Sequence, residues 1–348
     1  MLSPSATLEA LGSVRAPLLF LALAVPLAVT LDDLGLFTAI AARIEGTPHH
    51  FARLWALATA VVIVFNLDAA VVLLTPLYIR LARRHGLDAE AVALQPALLA
   101  CLASGVLPVS NLTNLIAAEH LDLTAADFLA NLVPATLAAT VVGFLVYRRV
   151  FHLAPVTGAV EASHDPSAIR RGVPIVVFVL AGFSAGDLIG IPAWVVALAA
   201  LAWATTLTRH LRWRTVPADA IALVGGFVVV ATAAAPHLGL ERAIDRHGVA
   251  GELATILTTT GLANLINNLP ATVVAVGSLD SVDRAWPLLL GANIGAALLV
   301  TGSLSTLLWR DTAAELQLEI SARRWTSVAA RVTLPALVAA SAVHLALA

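Results

Sequence analysis

The sequence predicts an all-α polytopic membrane protein in which two halves of opposite orientation each contribute a re-entrant hairpin and a broken helix. Three observations predict it. Of 348 residues, 59% are hydrophobic and 12% charged, and apolar runs of spanning length recur along the chain. Several of these runs are interrupted at mid-length by Asn, Ser, Thr, Pro or Gly, in matching places in the two halves. The twenty basic residues, all Arg, are unevenly placed between the runs.

Composition also excludes function classes. A net charge of -2 and a pI near 6.5 give no footing for nucleic-acid binding. Cys101 is the sole cysteine, so there is no disulfide framework and no multi-thiolate metal site, and a single thiol in an apolar run reads as a small core residue. No cofactor is expected.

In chain order, residues 16–31 form the first apolar run. It reads as a span rather than a signal peptide, because Arg15 is the only preceding cation and Glu9 shares the segment. Residues 54–79 follow, interrupted by Asn66-Leu67-Asp68. Residues 94–118 are long enough to cross but carry Pro108, Ser110, Asn111, Thr113 and Asn114. Proline removes a helical N–H and clashes with the preceding turn. Open backbone at membrane depth survives only where protein or a water-filled cavity satisfies it, so the break is a candidate binding site. A kinked helix whose Asn and Ser side chains bond a neighbour is the plainer alternative.

A span near 127–147 ends the first half, residues 1–151. A polar linker, 152–172, with His164 and Asp165 leads to the second half, 173–348. There, spans near 173–190, 193–208 and 219–237 precede residues 252–279, interrupted by Asn264, Asn267, Asn268 and Pro270. Residues 286–309 are then interrupted by Gly291, Asn293, Gly295, Thr301, Gly302 and Ser303, and a span near 326–347 closes the chain. Residues 66–72 align with 268–274 at five identities in seven.

If 54–79 and 252–279 enter and leave on one side while the other runs cross, sixteen Arg residues fall on one face. Only Arg15, Arg242, Arg246 and Arg284 fall on the other. Two-helix crossings would scatter them over alternating faces. The first hairpin then opens to the cytoplasm and the second to the outside, as in carriers built from inverted repeats. The midplane would hold Asn66, Asp68, Ser110, Asn111, Thr113, Asn114, Asn264, Asn267, Asn268, Asn293, Thr301 and Ser303. Such an amide- and hydroxyl-rich site suits a small ion or a hydroxylated solute. No Arg or His lies in these segments, which disfavours a highly charged anion. Asp68, the one deep carboxylate, is the candidate coupling group; the alternative is a helix-capping Asp. An intramembrane enzyme would need a partner acid, base or metal cluster at that depth, and the spans supply none.

The segments FNLDAAVVLLTP, PVSNLTNLIAA, ANLINNLPA and GANIGAALLVTGSLSTLLW resemble the arsenite permease family, the membrane protein of arsenical pumps. It sits within the ion-transporter superfamily that also holds sodium/proton antiporters and dicarboxylate carriers. The resemblance covers roughly residues 16–347 and implies an inverted-repeat carrier in a bacterial plasma membrane, compatible with a homodimer, that exports trivalent arsenic or antimony hydroxide against protons. Segments 43–53, 80–93, 148–172, 209–217 and 310–325 would be cytoplasmic. The family's Asn-Asn-Asp triplet maps to Asn66, Leu67 and Asp68. Its Pro-Asn pair after the glycine matching Gly295 is Ala296-Ala297 here, and family helices before Ala16 are lacking. A sodium or carboxylate carrier and a non-transporting homologue are the alternatives.

Overall fold

The computed structural model describes residues 4–44, 50–152, 166–240, 244, 248–279 and 281–347. Most of the 152–172 linker, with His164 and Asp165, and also Arg242 and Arg246, lie outside the described residues.

The first half contains α1 (Pro4–Gly12), α2 (Arg15–Asp33), α3 (Leu36–Ile44), α4 (His50–Phe65), α5 (Leu67–Arg84), α6 (Ala89–Leu102), α7 (Leu112–Leu121), α8 (Ala125–Asn131) and α9 (Val133–Val150). The second contains α10 (Pro166–Ala185), α11 (Ala193–Thr208), α12 (Ala218–Leu238), α13 (Gly248–Ile266), α14 (Asn268–Val276), α15 (Ala285–Asn293), α16 (Leu304–Glu315) and α17 (Ala322–Leu347). Among the described residues, six helices are long and apolar enough to cross a membrane: α2, α9, α10, α12 with the turn before it, α13 and α17.

Both expected hairpins reverse at an asparagine. Tyr78 Oη donates to the Leu54 carbonyl at 2.5 Å, and those residues stand equally far from Asn66, so α4 and α5 lie side by side and antiparallel. At Asn66 the backbone has φ 81° and ψ 153°, and at Asn267 φ 77° and ψ 150°. That region is close to glycine-only, because a Cβ there crowds the carbonyl, so both tips are strained. Each asparagine spends its side chain holding the turn. Asn66 Oδ1 accepts from the Asp68 amide at 2.9 Å, and Asn267 Oδ1 from the Leu269 amide at 3.2 Å.

Both broken helices open in the same way. After α6, Leu107 is extended, Pro108–Ser110 makes one 3₁₀ turn, and Asn111 is extended before α7 starts. After α15 and a 3₁₀ turn at Gly295–Leu298, Leu299 is extended, Val300–Gly302 makes one 3₁₀ turn, and Ser303 is extended before α16. Hairpin tip and break are tied together in each half. Asn66 Nδ2 donates to the Val109 carbonyl at 3.3 Å, and Asn267 Nδ2 to the Thr301 carbonyl at 3.1 Å, each to the middle residue of its 3₁₀ turn. Structural equivalence therefore pairs Asn66 with Asn267. The sequence alignment of Asn66 with Asn268 is one residue out of register, because a short apolar match scores letters and the turn is defined by φ.

Arginines gather at one end of the bundle. There Arg83 donates to the Leu316 carbonyl, Arg324 pairs with Glu90 at 2.5 Å, and Arg212 pairs with Asp33 at 2.8 Å, with Arg80 close to Asp32. The first hairpin opens at that end. At the other end, Asn131, Glu252, Asp283, Trp286 and His344 surround a cavity of about 400 Å³, and the second hairpin opens there. Trp309 packs against Trp325 with ring centres 5.0 Å apart and planes tilted by 46°, and donates to the Ala93 carbonyl at 2.8 Å, closing α6, α16 and α17 into one core.

Candidate functional site

Where the two halves meet, Asn293 at the end of α15 reaches the break of the first half. Its Oδ1 accepts from Asn111 Nδ2 at 3.0 Å and from Thr113 Oγ1 at 2.6 Å. Its Nδ2 donates to Asn114 Oδ1 at 2.7 Å. Asn114 Nδ2 in turn donates to the carbonyls of Ser104 and Leu107, at 2.7 and 3.0 Å, in the opened backbone; the Leu107 carbonyl also accepts from the Ser110 amide at 3.1 Å. Asn111 also caps α7 through the Thr113 amide and donates to Ser104 Oγ at 3.2 Å. All five residues are buried. The network both stabilises the break and couples the halves.

The other predicted residues divide by task. Asn66 and Asn267 hold the tips, and Ser110 Oγ donates to the Ile63 carbonyl at 2.9 Å, joining the break to the entering arm. Asn264 ties its own helix to the second break. It donates to the Thr260 and Gly295 carbonyls, both at 2.8 Å, and accepts from the Leu299 amide at 2.8 Å. Thr301 is exposed, and its hydroxyl donates to the Asn264 carbonyl at 3.3 Å. Asn268 is buried at the start of α14.

Asp68 stands in the first turn of α5, 4% exposed, with Oδ1 lacking a hydrogen-bond partner. Ser303 Oγ lies 2.8 Å from Ser305 Oγ. Thus Asn111, Thr113, Asn114 and Asn293 form a cross-half network, and Asn66 and Asn267 brace the two tips. Sequence reasoning missed Ser104 and Ser305 and set Cys101 aside. Both serines lie inside the interrupted runs 94–118 and 286–309, just past the end of α6 and within the start of α16, but a serine there gives no sign in the sequence of which group its hydroxyl meets.

Among the described residues no group of three or more His, Cys, Asp or Glu side chains is placed to hold a metal ion. The network's own groups are neutral. It can present amide and hydroxyl groups to a small solute only by exchanging bonds now made within itself.

Comparison with known proteins agrees with this architecture. The citrate transporter family, CitMHS, matches residues 1–300. The arsenical pump membrane protein of Escherichia coli strain K12 is 26% identical over 353 residues, covering 89% of this chain and 81% of that protein. The arsenical pump membrane protein of Yersinia enterocolitica is 24% identical over 351 residues, with the same coverage. In three dimensions the chain resembles the crystal structure of the Alcanivorax borkumensis YdaH transporter, with a TM-score of 0.57 at 16% identity, covering 97% of this chain and 86% of that one. The all-helical bundle and its six apolar helices fit a multi-pass inner-membrane carrier, not an enzyme. The chain belongs to the citrate transporter family.

Proposed function

We propose that this transporter moves a small hydroxylated inorganic solute of the arsenite or antimonite type, exchanging it for protons through Asp68. One observation carries the reading. A carboxylate lies 4% exposed, with one oxygen unpaired, near a neutral network in which the second half's Asn293 grips the first half's break. A buried carboxylate without a partner is costly, which favours a group that binds and releases a proton or a cation. A neutral hydroxylated solute matches amides and hydroxyls, whereas a polyanion such as citrate would meet no cation within the broken segments.

The geometry also supports two inverted repeats with re-entrant hairpins. The hairpins open at opposite ends, and the arginine-rich end fits the cytoplasmic face. Substrate would lie between the tips and the breaks. Motion of one half against the other would first have to part Asn293 from Asn111, Thr113 and Asn114.

The test is reconstitution. Proteoliposomes with an imposed pH gradient should accumulate arsenite or antimonite in preference to sodium, citrate or dicarboxylates. The Asp68→Asn variant should lose accumulation and the accompanying proton flux. Citrate uptake in place of arsenite would favour a carboxylate carrier, and no uptake of any of these would favour a non-transporting homologue. An unchanged pH dependence in Asp68→Asn would remove the coupling role.

A further inference from the structure

Helix α7 leaves the first break and runs outward, away from the arginine-rich end at which α6 begins. Two cavities flank its outer half. The smaller, about 250 Å³, lies between α7 and the starts of α2 and α11. Both of those helices finish at the arginine-rich end, so this cavity belongs to the opposite, outer end. It reaches inward to Pro108 and Val109, two of the three residues in the first break's 3₁₀ turn. The carbonyl of Val109 accepts from Asn66 at 3.3 Å, and Asn111, two residues on, holds Asn293 at 3.0 Å. One turn of backbone therefore separates the cavity from both the hairpin tip and the cross-half network. Its wall is largely apolar, with Phe20 and Phe183 meeting edge to face at 5.6 Å. Among the described residues Glu119, exposed near the outer end of α7, is the only charged side chain on that wall. The larger cavity, about 520 Å³, lies on the adjoining face of α7 and reaches Val273, Val276 and Gly277 at the end of the second hairpin's returning arm. Glu119 lines both.

We infer that the cavity beneath Glu119 is the outer waypoint of the carried solute, and that the Glu119 carboxylate holds a neutral hydroxide there as it passes between the outside and the first break. The inference rests on the substrate class proposed above and adds where, and by which group, that solute is met at the outer face. A carboxylate accepts from two hydroxyls at once, and hydrogen bonds to a charged acceptor are the stronger kind. A neutral solute leaves little hydration energy behind against Phe20 and Phe183, whereas an anion would lose far more and meet a like charge. At about 250 Å³ the cavity falls just short of the roughly 300 Å³ at which drug-sized pockets begin, which suits a solute of a few heavy atoms. The position of Glu119 between the two cavities gives one side chain access to solute arriving along either face of α7.

The test uses the full chain and has two arms. Cys101 is the sole cysteine and is 1% exposed, so the wild type serves as the unreactive control for thiol labelling. Ala118→Cys, and separately Leu115→Cys, each place a thiol on the cavity wall. A membrane-impermeant methanethiosulfonate added to spheroplasts should label both variants and block their transport. Labelling confined to inside-out vesicles, or labelling that leaves transport untouched, overturns the outer route whatever the solute is. In proteoliposomes Glu119→Gln should raise the KM for arsenite about threefold to tenfold, the effect of one lost hydrogen bond, with kcat held within about twofold, and Glu119→Asp should recover most of the loss. An unchanged KM in Glu119→Gln, with a wild type that transports arsenite, overturns the role of Glu119 and leaves the proposed substrate class standing. Failure of the wild type to transport arsenite or antimonite removes this occupant together with the reading it rests on.

Discussion

Replacing Asn293 by Ala removes three buried hydrogen bonds at once, to Asn111, Thr113 and Asn114. Interhelical hydrogen bonds in membrane proteins average roughly 0.6 kcal/mol and reach roughly 1.7. Three of them imply a loss of about 2 kcal/mol, approaching about 5 if each sits at the strong end. The 2.6 Å hydroxyl bond and the full burial of Thr113 and Asn114 place this site towards the upper part of that range. Equilibrium unfolding of purified protein in mixed micelles measures the loss. A cycle with Thr113→Val isolates the shared bond, and the double variant should cost less than the two singles together. A loss below about 0.5 kcal/mol, or strict additivity in the cycle, would refute the claim that Asn293 couples the halves.

Three further outcomes follow from the geometry. At Asn66, Ala keeps the strained backbone and loses both side-chain bonds, while Gly loses the same bonds but relieves the strain; the Ala variant should be less stable than the Gly variant by about 1–3 kcal/mol, and likewise at Asn267, by the same unfolding assay. A methyl group at Gly291 would stand 2.0 Å from Thr259 Oγ1 and 2.4 Å from the Ile256 carbonyl, so Gly291→Ala should part α13 from α15, cost about 1–3 kcal/mol and resist rescue by Thr259→Ala; Gly261→Ala, with nothing within 4 Å, should be neutral or mildly stabilising in the same melts. Asp127→Ala should cost about 1 kcal/mol by removing the capping box with Thr124 at the start of α8. Hydrogen bonds from Thr124 hold the Asp127 carboxyl below its usual 3.8, so this contribution is complete at neutral pH and fades only as acid below about pH 4 protonates it, which a pH series of thermal melts on both proteins will show.

Much of this was legible in the letters, and the reason is physical. Lipid leaves few ways to satisfy a backbone, so Asn66-Leu67-Asp68, Pro108 to Asn114 and Asn264 to Pro270 stood out as candidate breaks beside the plainer reading of kinked helices. Helix limits were close where apolar runs end sharply, as at α11, whose 193–208 span was read directly. Partners were not legible. That Asn264 would brace its own half while Asn293 crossed to the other depends on which carbonyls each opened turn orphans, and that is set by φ and ψ. Register failed at the second tip for a related reason: both Asn267 and Asn268 could cap α14, and only the backbone reversal chooses between them. Cys101, read as a small core residue, is buried in the hydrophobic core.

The returning arms of the two hairpins are unequal. Helix α5 has 18 residues and α14 has 9, so the first tip is backed by about 27 Å of helix and the second by about 14 Å. Roughly 14 backbone bonds must loosen to fray the first arm, against about 5 for the second. A molecule related to itself by pseudo-symmetry thus has a thick door and a thin one, and spontaneous breathing, read by amide exchange, will begin at the thin one.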